Sequence, residues 1–189
     1  MNHDDSSRGG LLDQDSSALV IIDIQEKLLP VIHGREGILE NAARLAKFAG
    51  IVKLPVAITE QEKLGPTRSE ITSVLPEAPI FVKSTFDCFG QPEFKARMKK
   101  LGRKNLILCG IEAHICVTQT ALAALAAQDG FRVHILSDAV GSRAPHNRET
   151  ALARLSQAGA VISSTEMFIY EILGRAGTPE FKETLKLVK

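Results

Sequence analysis

Residues 104–127, KNLILCGIEAHICVTQTALAALAA, decide how this chain is read. Leu106, Ile107, Leu108 and Cys109 form an apolar run of strand length. Gly110 then breaks the chain, and Cys116 stands just before an alanine- and leucine-rich segment of helical character. The pattern is strand, short loop, helix, with a thiol where the helix begins. A helix N-terminus presents unpaired N–H groups and a partial positive charge. A thiol placed there ionises more easily, and the thiolate is the nucleophile. The same N–H groups would stabilise an oxyanion formed when that thiolate attacks a carbonyl. The alternative role of a cysteine, a small buried hydrophobe, fits Cys88 and Cys109 better, Cys109 above all.

The flanking segments repeat the alternation. Residues 18–22, ALVII, are apolar throughout, as suits a strand buried on both faces, and end in Asp23. Residues 55–59, PVAIT, lead into Thr59-Glu60-Gln61, and residues 79–83, PIFVK, end in Lys83. A lysine at such a strand end costs free energy unless it is paired or wet, and Asp23 is the partner we select; a surface lysine on an edge strand is the alternative. Helices are expected over 34–50, from Pro92 to Leu101, over 146–157, from about 164 to 173 and over 180–188. Further strands are expected over 131–136, containing His134, and over 160–163. The polar cluster of residues 137–143 is read as closing the first of these. Only the crossover between the second and third strands lacks a clear helix. The chain therefore reads as α/β: a three-layer αβα sandwich with a doubly wound, mostly parallel, six-stranded sheet.

Ligands of such sheets bind outside the carboxyl ends of the strands. Asp23, Lys83 and Cys116 all lie at or just past such ends. Cys116 would be the nucleophile, Lys83 would favour its thiolate, and Asp23 would take the thiol proton or pass it to a leaving amine. Gln25, Phe86, Phe89 and His114 are the candidate pocket liners, each with a packing role as its alternative.

Composition narrows the field. The 189 residues suit a single domain over 18–189, preceded by a polar, loose arm over 1–17. A formal net charge of +1 gives no bulk electrostatic reason to expect nucleic acid or an anionic membrane. No apolar stretch approaches membrane-spanning length, and the N-terminal residues are not a signal peptide. Three widely spaced cysteines without CxxC argue for free thiols in a reducing, cytoplasmic setting. No GxGxxG follows the first strand, which weighs against a dinucleotide-dependent oxidoreductase.

Taken in order, Asp23-x-Gln25 after ALVII, Lys83 after PIFV, Gly110-Ile111-Glu112-Ala113-His114-Ile115-Cys116-Val117 and Asp138-Ala139-x-x-Ser142-Arg143 resemble the isochorismatase-like cysteine hydrolase superfamily. That group includes nicotinamidases, carbamoylsarcosine amidohydrolases and ureidoacrylate- and oxamate-type amidases. The resemblance runs from about Ala18 to Leu173. It implies Asp23, Lys83 and Cys116 as catalytic triad, a cis peptide at Ile111-Glu112, and an oxyanion hole from the N–H groups of Glu112 and Cys116. It also implies a homo-oligomer, to which the apolar side of the C-terminal helix is a candidate contributor. The chain departs from nicotinamidases in having no histidine in the Asp/His metal-binding stretch after the second strand; residues 59–67 read TEQEKLGPT. No metal and no cofactor are therefore expected. True isochorismatases carry a small residue in place of Cys116, so the thiol argues for acyl chemistry on a C–N bond of a small amide-like substrate. The competing reading from another class is a binding or regulatory module with a vestigial triad.

Overall fold

The computed structural model describes residues 10–188. The strands are β1 (Ser17–Ile22), β2 (Val56–Gln61), β3 (Ile80–Lys83), β4 (Asn105–Ile111), β5 (Arg132–Gly141) and β6 (Val161–Ser163). The helices are α1 (Arg35–Ile51), α2 (Ser69–Thr72), α3 (Pro92–Leu101), α4 (Thr118–Ala126), α5 (Pro145–Gln157), α6 (Thr165–Leu173) and α7 (Pro179–Val188). The six strands form one sheet in the order β3-β2-β1-β4-β5-β6, and every pairing is parallel. The chain winds outward from β1 to β3, returns to β4, and winds out the other way. The crevice between β1 and β4 is thus the point where strand order reverses, the usual place for a ligand in such sheets.

β1 explains why ALVII is apolar without alternation. Leu19 and Ile21 enter the core beneath α1 and α6, while Ala18, Val20 and Ile22 enter the core beneath α3, α4 and α5. Each layer has its own aromatic anchor: Phe48 meets Phe168 edge-on at 5.8 Å, and Phe94 meets Phe81 at 5.6 Å.

Four expectations change. The crossover between β2 and β3 does contain a helix, the single turn α2, whose Ile71 is fully buried. β5 does not stop before Ser137. It runs to Gly141 through a register shift in which residues 136–139 stand opposite Cys109. Its polar side chains are paid for locally: Ser137 donates to the Ser163 carbonyl, and Asp138 accepts from the Thr165 N–H and hydroxyl. The described part of the N-terminal arm is docked, because Leu12 is 1% exposed in the core and its N–H donates to Glu171; residues 1–9 lie outside the described residues. Finally, α7 spends part of its apolar side within the chain: Leu187 and Val188 pack on the core, and the Leu187 carbonyl accepts from Arg44 Nε at 2.8 Å.

Candidate active site

The rim of the sheet is assembled by strand register. Ile22 pairs with Thr59 on one side and Gly110 on the other, and Gln61 pairs with Lys83. Asp23 follows with φ 54°, a left-handed conformation that aspartate tolerates better than most residues. Gly110 has φ 126°, and a Cβ there would sit 2.0 Å from the Ile22 carbonyl oxygen. Only glycine lets β4 pass that close to the end of β1.

Two of the three triad candidates are joined directly. Lys83 Nζ donates to Asp23 Oδ2 at 2.7 Å, and both side chains are completely sealed from solvent. The remaining oxygen of Asp23 accepts from Thr59 Oγ1 at 2.7 Å, and Lys83 also donates to Gln61 Oε1 at 2.8 Å. A buried ion pair of this kind is tolerable only because its other hydrogen-bonding capacity is met. Burial works against the Lys83 ammonium, but the Asp23 carboxylate, with the Cys88 and Cys116 sulfurs once these ionise, outweighs it and holds its pKa above the ordinary lysine value.

The third candidate, Cys116, is 6% exposed. Burial first, then the charge of Asp23, push its thiol up to about 12, against the pull of Lys83. Burial and the Asp23 carboxylate thus work against the easily ionised thiol that the sequence suggests, and Lys83 works for it. Cys88, fully buried behind Thr59, is raised to about 11, chiefly by burial, and Cys109 is raised too.

The backbone carrying Cys116 also differs from a simple helix start. The Ile111–Glu112 peptide is cis, and a π-helical turn, Ala113–Val117, runs straight into α4. Cys116 therefore lies inside the turn rather than at its first residue. The Glu112 carbonyl accepts from the N–H groups of Ile115 and Val117 at 3.0 and 3.3 Å. The Glu112 carboxylate is buried and accepts from the Arg143 backbone N–H at 2.9 Å and from Arg143 Nε at 3.1 Å, tying the end of β5 to the turn.

The four suggested liners separate. Gln25 is 1% exposed and its amide is committed: Nε2 donates to the Gln61 and Gly65 carbonyls, and Oε1 accepts from the Gln61 N–H. It staples the loop after β2 and has no donor left for a ligand. Phe89 is half-buried and packs against Phe94 and Phe131 with ring centroids 5.3 and 5.6 Å away. Phe86 is 52% exposed. The His114 ring meets Ser142 Oγ at 2.9 Å and Asn147 Nδ2 at 3.4 Å. Ser142 in turn lines a cleft of about 340 Å³ with His33, Asp138 and Arg148, which none of the triad residues lines.

Thr59 and Gln61 were missed by the sequence reading. Their only signal was position, two residues apart at the carboxyl end of β2, facing the same side as Asp23 and Lys83. Among the described residues no group of three or more His, Cys, Asp or Glu side chains is gathered as a metal ion would require.

Comparison with known proteins gives this geometry a family. The isochorismatase domain model matches residues 17–167. The secreted isochorismatase effector Isc1 of Phytophthora sojae is 37% identical, covering 97% of this chain and 90% of its own. Isochorismatase domain-containing protein 2 of Bos taurus is 38% identical, covering 92% and 83%. Among solved structures, a MAR1 ribonuclease from Caenorhabditis elegans superposes with a TM-score of 0.88 at 36% identity, covering 94% and 92%. The Escherichia coli YcaC gene product, described as an octameric hydrolase of unknown specificity, gives 0.85 at 25%, covering 95% and 87%. With its sheet order and its matched span both in agreement, the chain belongs to the isochorismatase family.

Proposed function

We propose that this chain is a cysteine hydrolase that cleaves a C–N bond of a small amide- or ureido-type substrate through a thioester on Cys116. The observation carrying the reading is the sealed Asp23–Lys83 pair, 2.7 Å apart, whose two charges both act on the Cys116 thiol. Asp23 takes the thiol proton as the sulfur attacks the carbonyl carbon, and Lys83 transfers its attraction from the carboxylate to the forming thiolate. The N–H groups of Glu112 and Cys116 receive the oxyanion. Asp23 returns the proton to the departing nitrogen, leaving a thioester. Water then attacks with Asp23 as base, the acid is released, and the thiol is restored. No step of this scheme calls for a metal or cofactor.

The burial and the Asp23 charge that raise the Cys116 thiol favour a second reading, a binding or regulatory module whose triad no longer turns over. Ammonia release from a panel of small amides, ureas and ureido acids separates the two. On the hydrolase reading, wild type releases ammonia from at least one member and Cys116→Ala lowers the rate by about 10³-fold or more. Turnover that survives in Cys116→Ala refutes the thioester route, and loss of intact RNA on a gel, read separately because phosphodiester cleavage releases no ammonia, tests the activity named for the nematode relative.

The octameric state described for the bacterial relative supports a homo-oligomer here. The free thiols of Cys88, Cys109 and Cys116 suit a reducing, cytoplasmic interior. Among the described residues no helix is long and apolar enough to cross a membrane.

A further inference from the structure

We propose that Gln61 is a positioning residue for the hydrolysis, a neutral clamp that holds the Lys83 ammonium in place while its negative partner changes from Asp23 to the Cys116 sulfur. The inference rests on the thioester reading. Gln61 and Lys83 are register partners on parallel strands, so their side chains leave the sheet on the same face. Gln61 Oε1 accepts from Lys83 Nζ at 2.8 Å, almost as short as the ion pair to Asp23.

The orientation of the Gln61 amide is fixed from behind. Its Nε2 donates to the Ser84 carbonyl at 2.9 Å, which leaves the oxygen toward the lysine. Its backbone N–H is held by Gln25 at 2.8 Å, and Gln25 is itself anchored on the Gly65 carbonyl. The fully committed Gln25 thus has a purpose one layer out from the chemistry.

The absence of charge on Gln61 is what the chemistry needs. When the proton moves from Cys116 to Asp23, negative charge moves from carboxylate to sulfur, and the ammonium must follow it without leaving its seat. A second carboxylate at Gln61 would compete with the thiolate for the same cation. The chain does place a carboxylate one residue earlier, but Glu60 faces the other side and accepts from Thr67 N–H and hydroxyl at 2.7 and 2.8 Å. The other titratable groups that Lys83 acts on are Cys88, buried behind Thr59, and Asp87, whose carboxylate is occupied by the Phe89 N–H at 2.8 Å.

The test uses iodoacetamide and needs no knowledge of the substrate. The alkylation rate of Cys116 is followed by peptide mass from pH 6 to 9, with the buried Cys88 and Cys109 as internal controls and melting midpoints read alongside. Gln61→Glu is expected to lower the rate about tenfold across the range, the equivalent of one pKa unit. Gln61→Met, close in shape and without an acceptor, is expected to lower it about three- to five-fold. Lys83→Met should be slower still. If Lys83→Met is slow but both Gln61 variants alkylate like wild type, whatever their melting midpoints, Gln61 is merely structural and the inference fails. If Lys83→Met also matches wild type, it is the triad reading that fails. Should Gln61→Glu not fold, Gln61→Met decides alone.

Discussion

The two halves of the sheet contribute to the site in opposite ways. The half made of β1, β2 and β3 supplies fixed charge from strand ends, Lys83 as the last residue of β3 and Asp23 just past β1 at φ 54°: the two are sealed, paired, and supported by Thr59 and Gln61. The half made of β4, β5 and β6 supplies the sulfur on irregular backbone, with a glycine at φ 126°, a cis peptide, a π-helical turn and a register shift in β5 close together. Register brings Gln61 and Lys83 side by side, and the left-handed turn at Asp23 brings its carboxylate to them. A nucleophile that must meet both a carboxylate and a substrate needs a backbone that departs from register. The lesson is that the charge half is built for stability of an otherwise costly pair, and the sulfur half for aim.

The sharpest way to break this division is at the seam. Gly110→Ala places a methyl 2.0 Å from the Ile22 carbonyl, a backbone atom that cannot yield cheaply. We expect a loss of more than about 4 kcal/mol in denaturant unfolding, or no folded protein at all. A change below about 1 kcal/mol would show that β1 and β4 can part without cost. Lys83→Met comes next. It leaves Asp23 buried without its counter-charge, with an expected loss of about 3–5 kcal/mol. Because the pair is completely sealed, that loss should persist in high salt, whereas a salt-sensitive loss would place the pair near solvent. Thr59→Val is the mildest of the three. It keeps the shape but removes the donor to Asp23 Oδ1, with an expected cost of about 1.5–3 kcal/mol. Unchanged stability in that variant would mean Asp23 does not depend on its support.

These contrasts also explain what the sequence disclosed. Asp23 and Lys83 were legible because a charge ending an apolar run is conspicuous, and parallel strands bring such ends to one rim. The continuous burial of β1 followed from ALVII for the same reason. Ser137 and Asp138 misled, since turn-forming side chains also serve a strand whose neighbours at Ser163 and Thr165 absorb their hydrogen bonds. Gln25 misled because a polar residue beside a site carries no mark of whether its amide faces a ligand or its own loop. Thr59 and Gln61 were silent, being ordinary residues made important by what lies across the strand. The upward push on the Cys116 thiol was hidden as well: placement near a helix start suggests easier ionisation, while burial and the Asp23 carboxylate act against it.

The most direct measurement mixes wild-type protein with the amide or ureido substrate that gives the fastest ammonia release, quenches within the first turnovers, and weighs the digested peptides. The account predicts an acyl group on the peptide carrying Cys116, absent from those carrying Cys88 and Cys109, which disappears as ammonia-coupled turnover ends. Steady turnover with Cys116 never modified, and undiminished when that residue is alanine, would contradict it.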